Sequence, residues 1–239
     1  MRTKNLLLNH HRMESKIKPI RRTSDAYMRQ REVLMLDHLL CNLQVDNKTN
    51  VPIIKSYDVE DTLPKQMIAF HEAINASRTD FDAIVHFYVS DENFIRLFRN
   101  PTKYVSTLRK YKYVISPDMS QYIEMPYFSR FANNCYNKSM AQYLQLQGVN
   151  IIANVTWSLP DSYEFSFSGI PCHTTIAINS NGVNNSIDSK YLWHRGYEEA
   201  LNRLQPKRII RYGQKMPNEN EDISIYFDNT YLRRMRHGR

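Results

Sequence analysis

The chain predicts an α/β fold: a largely parallel sheet or partial β/α barrel with crossover helices, carrying basic arms at both termini. Three observations carry that reading. Short β-branched or aromatic runs alternate with helical stripes about five or six times between residues 51 and 213, and strands separated by helices pair in parallel because each crossover returns the chain to the same end of the sheet. Residues 83–89, Ala-Ile-Val-His-Phe-Tyr-Val, form a run of the kind found in a strand covered on both faces. Punctuation falls between these periods, with Pro64, Pro101 and Pro126 at helix starts and Gly148 at a helix end, where a fixed φ and a left-handed residue are respectively favoured. The strand count is compatible with an open doubly wound sheet and with a barrel. Both place ligands beyond the carboxyl ends of the strands.

Taken in order, residues 1–25 are basic and polar without a sustained period and predict a flexible arm. Val33, Leu36, Leu39, Leu40 and Leu43 recur at helical spacing and predict an amphipathic helix over residues 26–43. After a turn at 46–50, residues 51–54 are a candidate first strand. Pro64 opens a helix whose buried side holds Met67, Ile68, His71 and Ile74. Behind the strand at 83–89, Ser90, Asp91 and Glu92 supply oxygens and negative charge to a helix start, with Phe94, Ile95 and Phe98 as its stripe. A second helix from Pro101 carries Tyr104, Val105, Leu108 and Tyr111 on one face.

Residues 113–116 are the next strand, stopped by Pro117. Pro126 starts a helix with Phe128, Phe131, Cys135, Met140 and Leu144 as its apolar stripe, and a strand follows at 149–155. Tyr163, Phe165 and Phe167 alternate with polar residues and read as an extended ribbon or a distorted helical turn. Residues 173–179 form another strand, Asn181-Gly182 turns the chain, and a polar stretch to about His194 reads as a lid or site loop. Tyr197, Ala200, Leu201 and Leu204 mark a helix and residues 208–213 a last strand. The organisation is therefore an arm (1–25), one α/β domain (26–213) and a basic tail (214–239).

The formal net charge of +8 and pI near 9.3 favour encounters with polyanions. Much of the excess is terminal, and Arg21, Arg22, Arg233, Arg234 and Arg236 are the candidate phosphate contacts to DNA or RNA, against the alternative of two solvated tails. Cys41, Cys135 and Cys172 are widely spaced and odd in number, which fits a reducing compartment. The apolar runs fall short of a membrane span and the N-terminus has no apolar signal core, so no membrane partner is expected and a cytoplasmic setting is. No metal and no cofactor is expected: Cys172 and His173 are adjacent without a third ligand at zinc spacing, and there is no Walker loop, GxGxxG or GxSxG.

The strand-end rule selects the site candidates. Asp118 is the principal catalytic candidate, because Pro117 rigidifies its approach and a strand-end carboxylate can serve as base or nucleophile. A turn cap explains it as well. Asp91 is the second, with a helix start as its competing explanation. Ser120, Asn154, Trp157, Ser180 and Tyr212 are the candidate substrate-binding residues, offering hydroxyls, an amide and rings to a polar planar ligand. Trp193-His194-Arg195 would suit anion capture from the polar loop.

A string of motifs adds context. Phe87-Tyr88-Val89-Ser90-Asp91, Asn100-Pro101, Val114-Ile115-Ser116-Pro117-Asp118, Met125-Pro126, Gln147-Gly148-Val149, Asn154-Val155-Thr156-Trp157, Phe167-Ser168-Gly169-Ile170-Pro171 and Tyr212-Gly213 resemble the bacterial, phage and plasmid family catalogued as domain of unknown function 4417, over roughly residues 51–213. The chain departs from the expected pattern in Ser158-Leu159-Pro160 and in an Asn-rich stretch near 181–189. The resemblance implies a phage or mobile-element origin, a bacterial cytosolic setting and phage or plasmid proteins as partners. It implies no catalytic residue. Three functions follow from the residues together with it: an accessory protein that contacts nucleic acid through its arms and holds a base or nucleotide at the strand ends; a hydrolase or transferase acting on a nucleoside, sugar or phosphate-bearing substrate through Asp118; and a virion or assembly protein.

Overall fold

The computed structural model describes residues 43–183 and 186–228. The predicted N-terminal arm, nearly all of the predicted helix over 26–43, and the candidate arginines Arg21, Arg22, Arg233, Arg234 and Arg236 lie outside the described residues. Seven strands, β1 (Met67–Ala69), β2 (Ile84–His86), β3 (Tyr113–Ile115), β4 (Ile151–Asn154), β5 (Thr175–Asn179), β6 (Arg208–Tyr212) and β7 (Ser224–Phe227), pair in parallel in chain order. Six helices accompany them among the described residues: α1 (Phe70–Ala73), α2 (Ile95–Arg99), α3 (Thr102–Leu108), α4 (Tyr127–Leu146), α5 (Tyr163–Phe167) and α6 (Ile187–Leu204). A sheet in unbroken chain order advances one strand per crossover in a single direction, so crossovers of one hand stack their helices on one face. The other face curls inward, giving a half-barrel. The predicted fold class stands, in its partial-barrel form.

Several elements differ from the sequence expectation. Pro64 opens no helix: Met67, Ile68 and Ala69 are all buried and pair with Ile84, Val85 and His86, leaving only the single turn α1 behind them. Residues 51–54 form no strand beyond an antiparallel bridge between Pro52 and Val45, consistent with the donor that proline lacks. Residues 163–167 take the helical alternative. The polar stretch before His194 is mostly helix α6, capped by the Ser186 hydroxyl, which accepts from the Ser189 N–H at 3.0 Å. The sheet also runs past residue 213, because β7 pairs with β6 inside the predicted tail.

Helix α4 departs from its predicted apolar stripe. Phe128 is exposed, while Arg130, Asn134, Asn137, Lys138 and Gln142 are buried. Those polar groups hold loop backbones. Asn137 bonds both the N–H and the C=O of Met119, Gln142 bonds the carbonyls of Gln44 and Ile53, and Arg130 forms a bidentate pair with Asp161. The Lys138 ammonium donates to the carbonyls of Phe165, Ser166 and Ser168 at 2.6–3.0 Å. Burial pulls its pKa down to about 7, and those three acceptors favour its protonated form.

The inner face holds Met67, Ile84, Tyr113, Ile115, Ile152, Ala177, Ile210 and Phe227, with Val59 and Leu63 packed over them from the segment before β1. That segment is tied to the amino ends of the strands. The Tyr113 hydroxyl accepts from the Glu60 N–H at 3.0 Å, Arg208 donates to the Glu60 carbonyl and Lys207 pairs with Asp58. The amino-terminal end of the half-barrel is therefore covered. Nearer the carboxyl end, His86, Tyr88 and Tyr212 stack with ring centroids 4.4–5.4 Å apart, and His86 Nδ1 accepts from the Tyr88 N–H.

Burial pulls the His86 pKa down to about 3. The unfolded imidazole, with its ordinary value near 6.5, binds a proton first as pH falls, so stability contributed by neutral His86 is lost between these values. The stability difference between the parent and His86→Phe is expected to move in the variant's favour by about 1.4 kcal/mol per unit as pH drops from about 6 to about 4, read by urea unfolding. A difference that does not change with pH would contradict a neutral, buried His86.

Candidate functional site

Beyond the carboxyl ends of β3, β4 and β5 the Asp118 carboxyl sits in a cage of donors. Its Oδ1 accepts from Asn154 Nδ2 at 2.8 Å and from the Thr156 hydroxyl at 2.5 Å, and its Oδ2 accepts from Asn179 Nδ2 at 3.0 Å. Asn154 is oriented in turn: its Oδ1 accepts from the Tyr88 hydroxyl at 3.0 Å and its backbone N–H donates to Ser116 Oγ at 2.8 Å. The strand alternation explains the convergence. Asn154 and Thr156 are two apart and share a face, and Asn179 stands beside Tyr212 in register on the next pair.

Burial pushes the Asp118 pKa up to about 6, against the three donors, which favour the ionised form; the Asp91 charge adds a smaller upward push. At neutral pH the group is mainly carboxylate. Each carboxylate oxygen accepts about two hydrogen bonds, so among the described residues Oδ1 is filled and Oδ2 retains one acceptor position.

Above the cage lies a cleft with two lobes. One, of about 180 Å³, is lined by Asp118, Ser120, Thr156 and Asn179. The other, of about 380 Å³, is lined by Ile123, Glu124, Ser158 and Leu192. Gln121, Tyr122, Trp157, Asn181, Val183 and Trp193 border both. Trp157 and Trp193 pack with centroids 5.9 Å apart and planes tilted by 46°, and Tyr122 is 61 % exposed at the mouth. No lysine or arginine lines either lobe among the described residues.

Trp193 is fixed from behind. Its indole N–H donates to the Asn179 carbonyl at 3.1 Å, its ring stacks on Tyr197, and the Arg211 guanidinium lies 4.9 Å from its centroid. Arg211 and Glu219 form a bidentate pair that is almost fully buried, and Arg211 also donates to the Ile178 carbonyl at 2.6 Å. Trp157 lies against α6, where its indole N–H donates to the Leu192 carbonyl.

The structure brings Asp118, Ser120 and Trp157 to the cleft and puts Asn154 directly beneath it. The other candidates stand elsewhere. The Asp91 carboxylate accepts from the N–H and hydroxyl of Ser120 and so ties down the loop after β3; burial raises its pKa. Ser180 is buried and donates to the Gln214 carbonyl at 2.5 Å, and Tyr212 is buried in the aromatic stack. Trp193, His194 and Arg195 belong to a helix and not a loop. Cys135 has its thiol pushed up to about 11 by burial, which leaves no reactive thiolate there.

Thr156 and Gln121 were not among the sequence candidates. Thr156 was legible as the residue two beyond Asn154 on one strand face; Gln121 lies in a loop and had no periodic signal. Among the described residues no three His, Cys, Asp or Glu side chains gather into a set that could hold a metal ion, and no helix is long and apolar enough to cross a membrane.

Comparison with known proteins places this architecture. Residues 44–230 match DUF4417, a domain of unknown function. The chain belongs to the DUF4417 family. It is also similar to the Gene 1 protein of Mycobacterium phage L5, at 28 % identity over 174 residues, covering 70 % of this chain and 76 % of that protein. The Gene 1 protein of Mycobacterium phage D29 is 27 % identical over 169 residues, covering 68 % of this chain and 63 % of that protein. No solved structure matches. The family match takes in the whole sheet and cleft and extends beyond residue 213, in keeping with β7 as part of the domain.

Gly196 of α6 is where Trp157 approaches, and a Cβ built there collides with the indole nitrogen. Helix propensity alone favours Ala over Gly by about 1 kcal/mol, so packing and propensity predict opposite signs. Gly196→Ala is expected to destabilise the fold by about 1–3 kcal/mol and to shift the tryptophan fluorescence. A more stable variant with parental emission would contradict the placement of Trp157.

Proposed function

We propose that this DUF4417 protein is a phage- or mobile-element-associated accessory protein whose strand-end cleft holds an uncharged nucleobase, free or as part of a nucleoside, and whose terminal arms contact nucleic acid. The observation that carries the cleft reading is the Asp118 carboxylate, held by Asn154, Thr156 and Asn179 with one acceptor position remaining, in a cleft that Trp157 also lines. A planar ring with an N–H donor answers both features, by stacking and by a charge-assisted hydrogen bond. The absence of Lys and Arg from the described lining, alongside Asp118 and Glu124, speaks against a phosphate in either lobe. It narrows the sequence expectation of a nucleotide or phosphate-bearing substrate to the base itself.

The distribution of charge supports the arms. Residues 43–228 hold nineteen Lys and Arg against twenty Asp and Glu, a net charge of −1, so the +8 of the whole chain comes from the segments outside that range. Polyanion contact would then be electrostatic and sequence-independent, separate from the uncharged ligand of the cleft. The similarity to proteins encoded by two mycobacteriophages supports the phage setting.

A second reading draws on the same carboxyl. An Asp with a pKa of about 6 is ionised at neutral pH and basic enough for general-base work, and a described lining without Lys or Arg favours a nucleoside over a phosphate ester as the substrate of such an enzyme.

Calorimetric titration of the full chain with adenosine, guanosine, cytidine, uridine and thymidine tests the cleft. Binding that weakens as pH falls through about 6, and weakens about tenfold or more in Asp118→Asn, is the expected result; no binding of any of the five contradicts it. Chromatography of the same mixtures for released base separates the enzymatic reading. For the arms, affinity for single-stranded DNA or RNA at low salt should fall, and its salt dependence flatten, when residues 1–25 and 229–239 are removed; unchanged binding contradicts their role.

A further inference from the structure

The loop after β3 carries a polar side chain with no structural use. Gln121 is 8 % exposed, borders both lobes of the cleft, and has no hydrogen-bond partner at either Oε1 or Nε2. A buried amide left unpaired on both atoms is costly, and the surrounding loop shows that the region does not otherwise tolerate this. Its neighbours are all satisfied: Met119 by Asn137, Ser120 by Asp91 and by Asn133. The loop is thus held rigidly from α4 and from Asp91, while the one primary amide it carries is unused.

Resting on the nucleobase reading of the cleft, we propose that Gln121 is a ligand-binding residue that pairs with the donor–acceptor edge of the bound base, and that together with Asp118 it makes the cleft select bases bearing an exocyclic amino group. A primary amide presents one acceptor beside one donor and pairs bidentately with the matching edge of a base. That pairing alone admits all the common bases. Asp118 supplies the discrimination, because the acceptor position remaining on its Oδ2 takes a further donor, which on the edge of a base is a second N–H.

Adenine, cytosine and guanine each have an amino group with two N–H bonds and can meet both demands. Uracil and thymine carry a single N–H on their pairing edge, flanked by two carbonyls. When that N–H pairs with Gln121, a carbonyl oxygen is left against the Asp118 carboxylate or its acceptor position is unfilled. A site with buried acceptors rejects a ligand lacking the donor far more strongly than an apolar pocket rejects a missing methyl. Trp157, the less buried of the two indoles that line the cleft, contributes to every base alike, since each base has a π face.

The test uses the full-length protein and Gln121→Met, a substitution of similar length without the amide, alongside Asp118→Asn. Each is titrated with adenosine, cytidine, guanosine, uridine and thymidine, and unfolded in urea. The parent should bind the three amino-bearing nucleosides at least about tenfold more tightly than uridine and thymidine. Gln121→Met should lose about tenfold or more on the amino-bearing nucleosides, while unfolding at the same or a higher urea concentration because an unpaired buried amide has been removed. Parental affinities in Gln121→Met would overturn the role of Gln121, and uridine bound as tightly as cytidine by the parent would overturn the selection for an amino group; either result leaves the cleft reading intact if Asp118→Asn still loses binding. Failure of the parent to bind any of the five would overturn both.

Discussion

The Asp118 carboxyl is the group on which the carboxyl end of the sheet depends. It draws Asn154 and Thr156 from the end of β4 and Asn179 from the end of β5 onto a side chain carried just past β3. Three adjacent crossovers are thereby fixed at their exits. The cost is a half-buried carboxylate, and it shows in a pKa raised to about 6 by desolvation despite three donors. A purely structural hub would be satisfied completely. This one lines the cleft and retains an acceptor position on Oδ2, and that asymmetry is the physical reason for reading it as a binding group.

The rest of the molecule supports that arrangement from two sides. Helix α4 buries polar residues that hold the loop after β3 by its backbone, through Asn137, and the segment after β4 by the Ser158 and Asp161 side chains, through Arg130. Helix α6 supplies Trp193, which is held by the Asn179 carbonyl, by Tyr197 and by the buried Arg211–Glu219 pair. At the opposite end, Val59, Leu63 and the backbone around Glu60 cover the inner face. A half-barrel covered at its amino end and polar at its carboxyl end has one natural place for a ligand.

How much of this was legible depended on which signal each residue gave. The strands were readable where an apolar run was long, as at 83–89, and the parallel order followed from their alternation with helices. The strand-end rule found Asp118, Ser120, Asn154 and Trp157 because each sits within a few residues of a strand exit. It also selected Ser180 and Tyr212, which point into the structure, since distance along the chain does not say which way a side chain turns. Helix α4 was located correctly, and Met140 and Leu144 of its predicted stripe are buried, but Phe128 is exposed and the rest of the buried side is made by Asn137, Lys138 and Gln142. Polar residues that bury themselves to bond backbone have no hydrophobic period to reveal them. The early start of α6 was available in Ser186 and Asp188, a cap and a first-turn acid, and was obscured by the Asn-rich stretch before them.

The central claim is that Asp118 is a half-buried, ionised acceptor lining the cleft, and carbon-13 NMR of its carboxyl in the intact protein measures its ionisation directly. The account predicts an apparent pKa near 6 in the free protein, moving downward when cytidine is added because a ligand N–H stabilises the charged form. Titration near the ordinary value of 3.8, or a value that cytidine does not move, would contradict it.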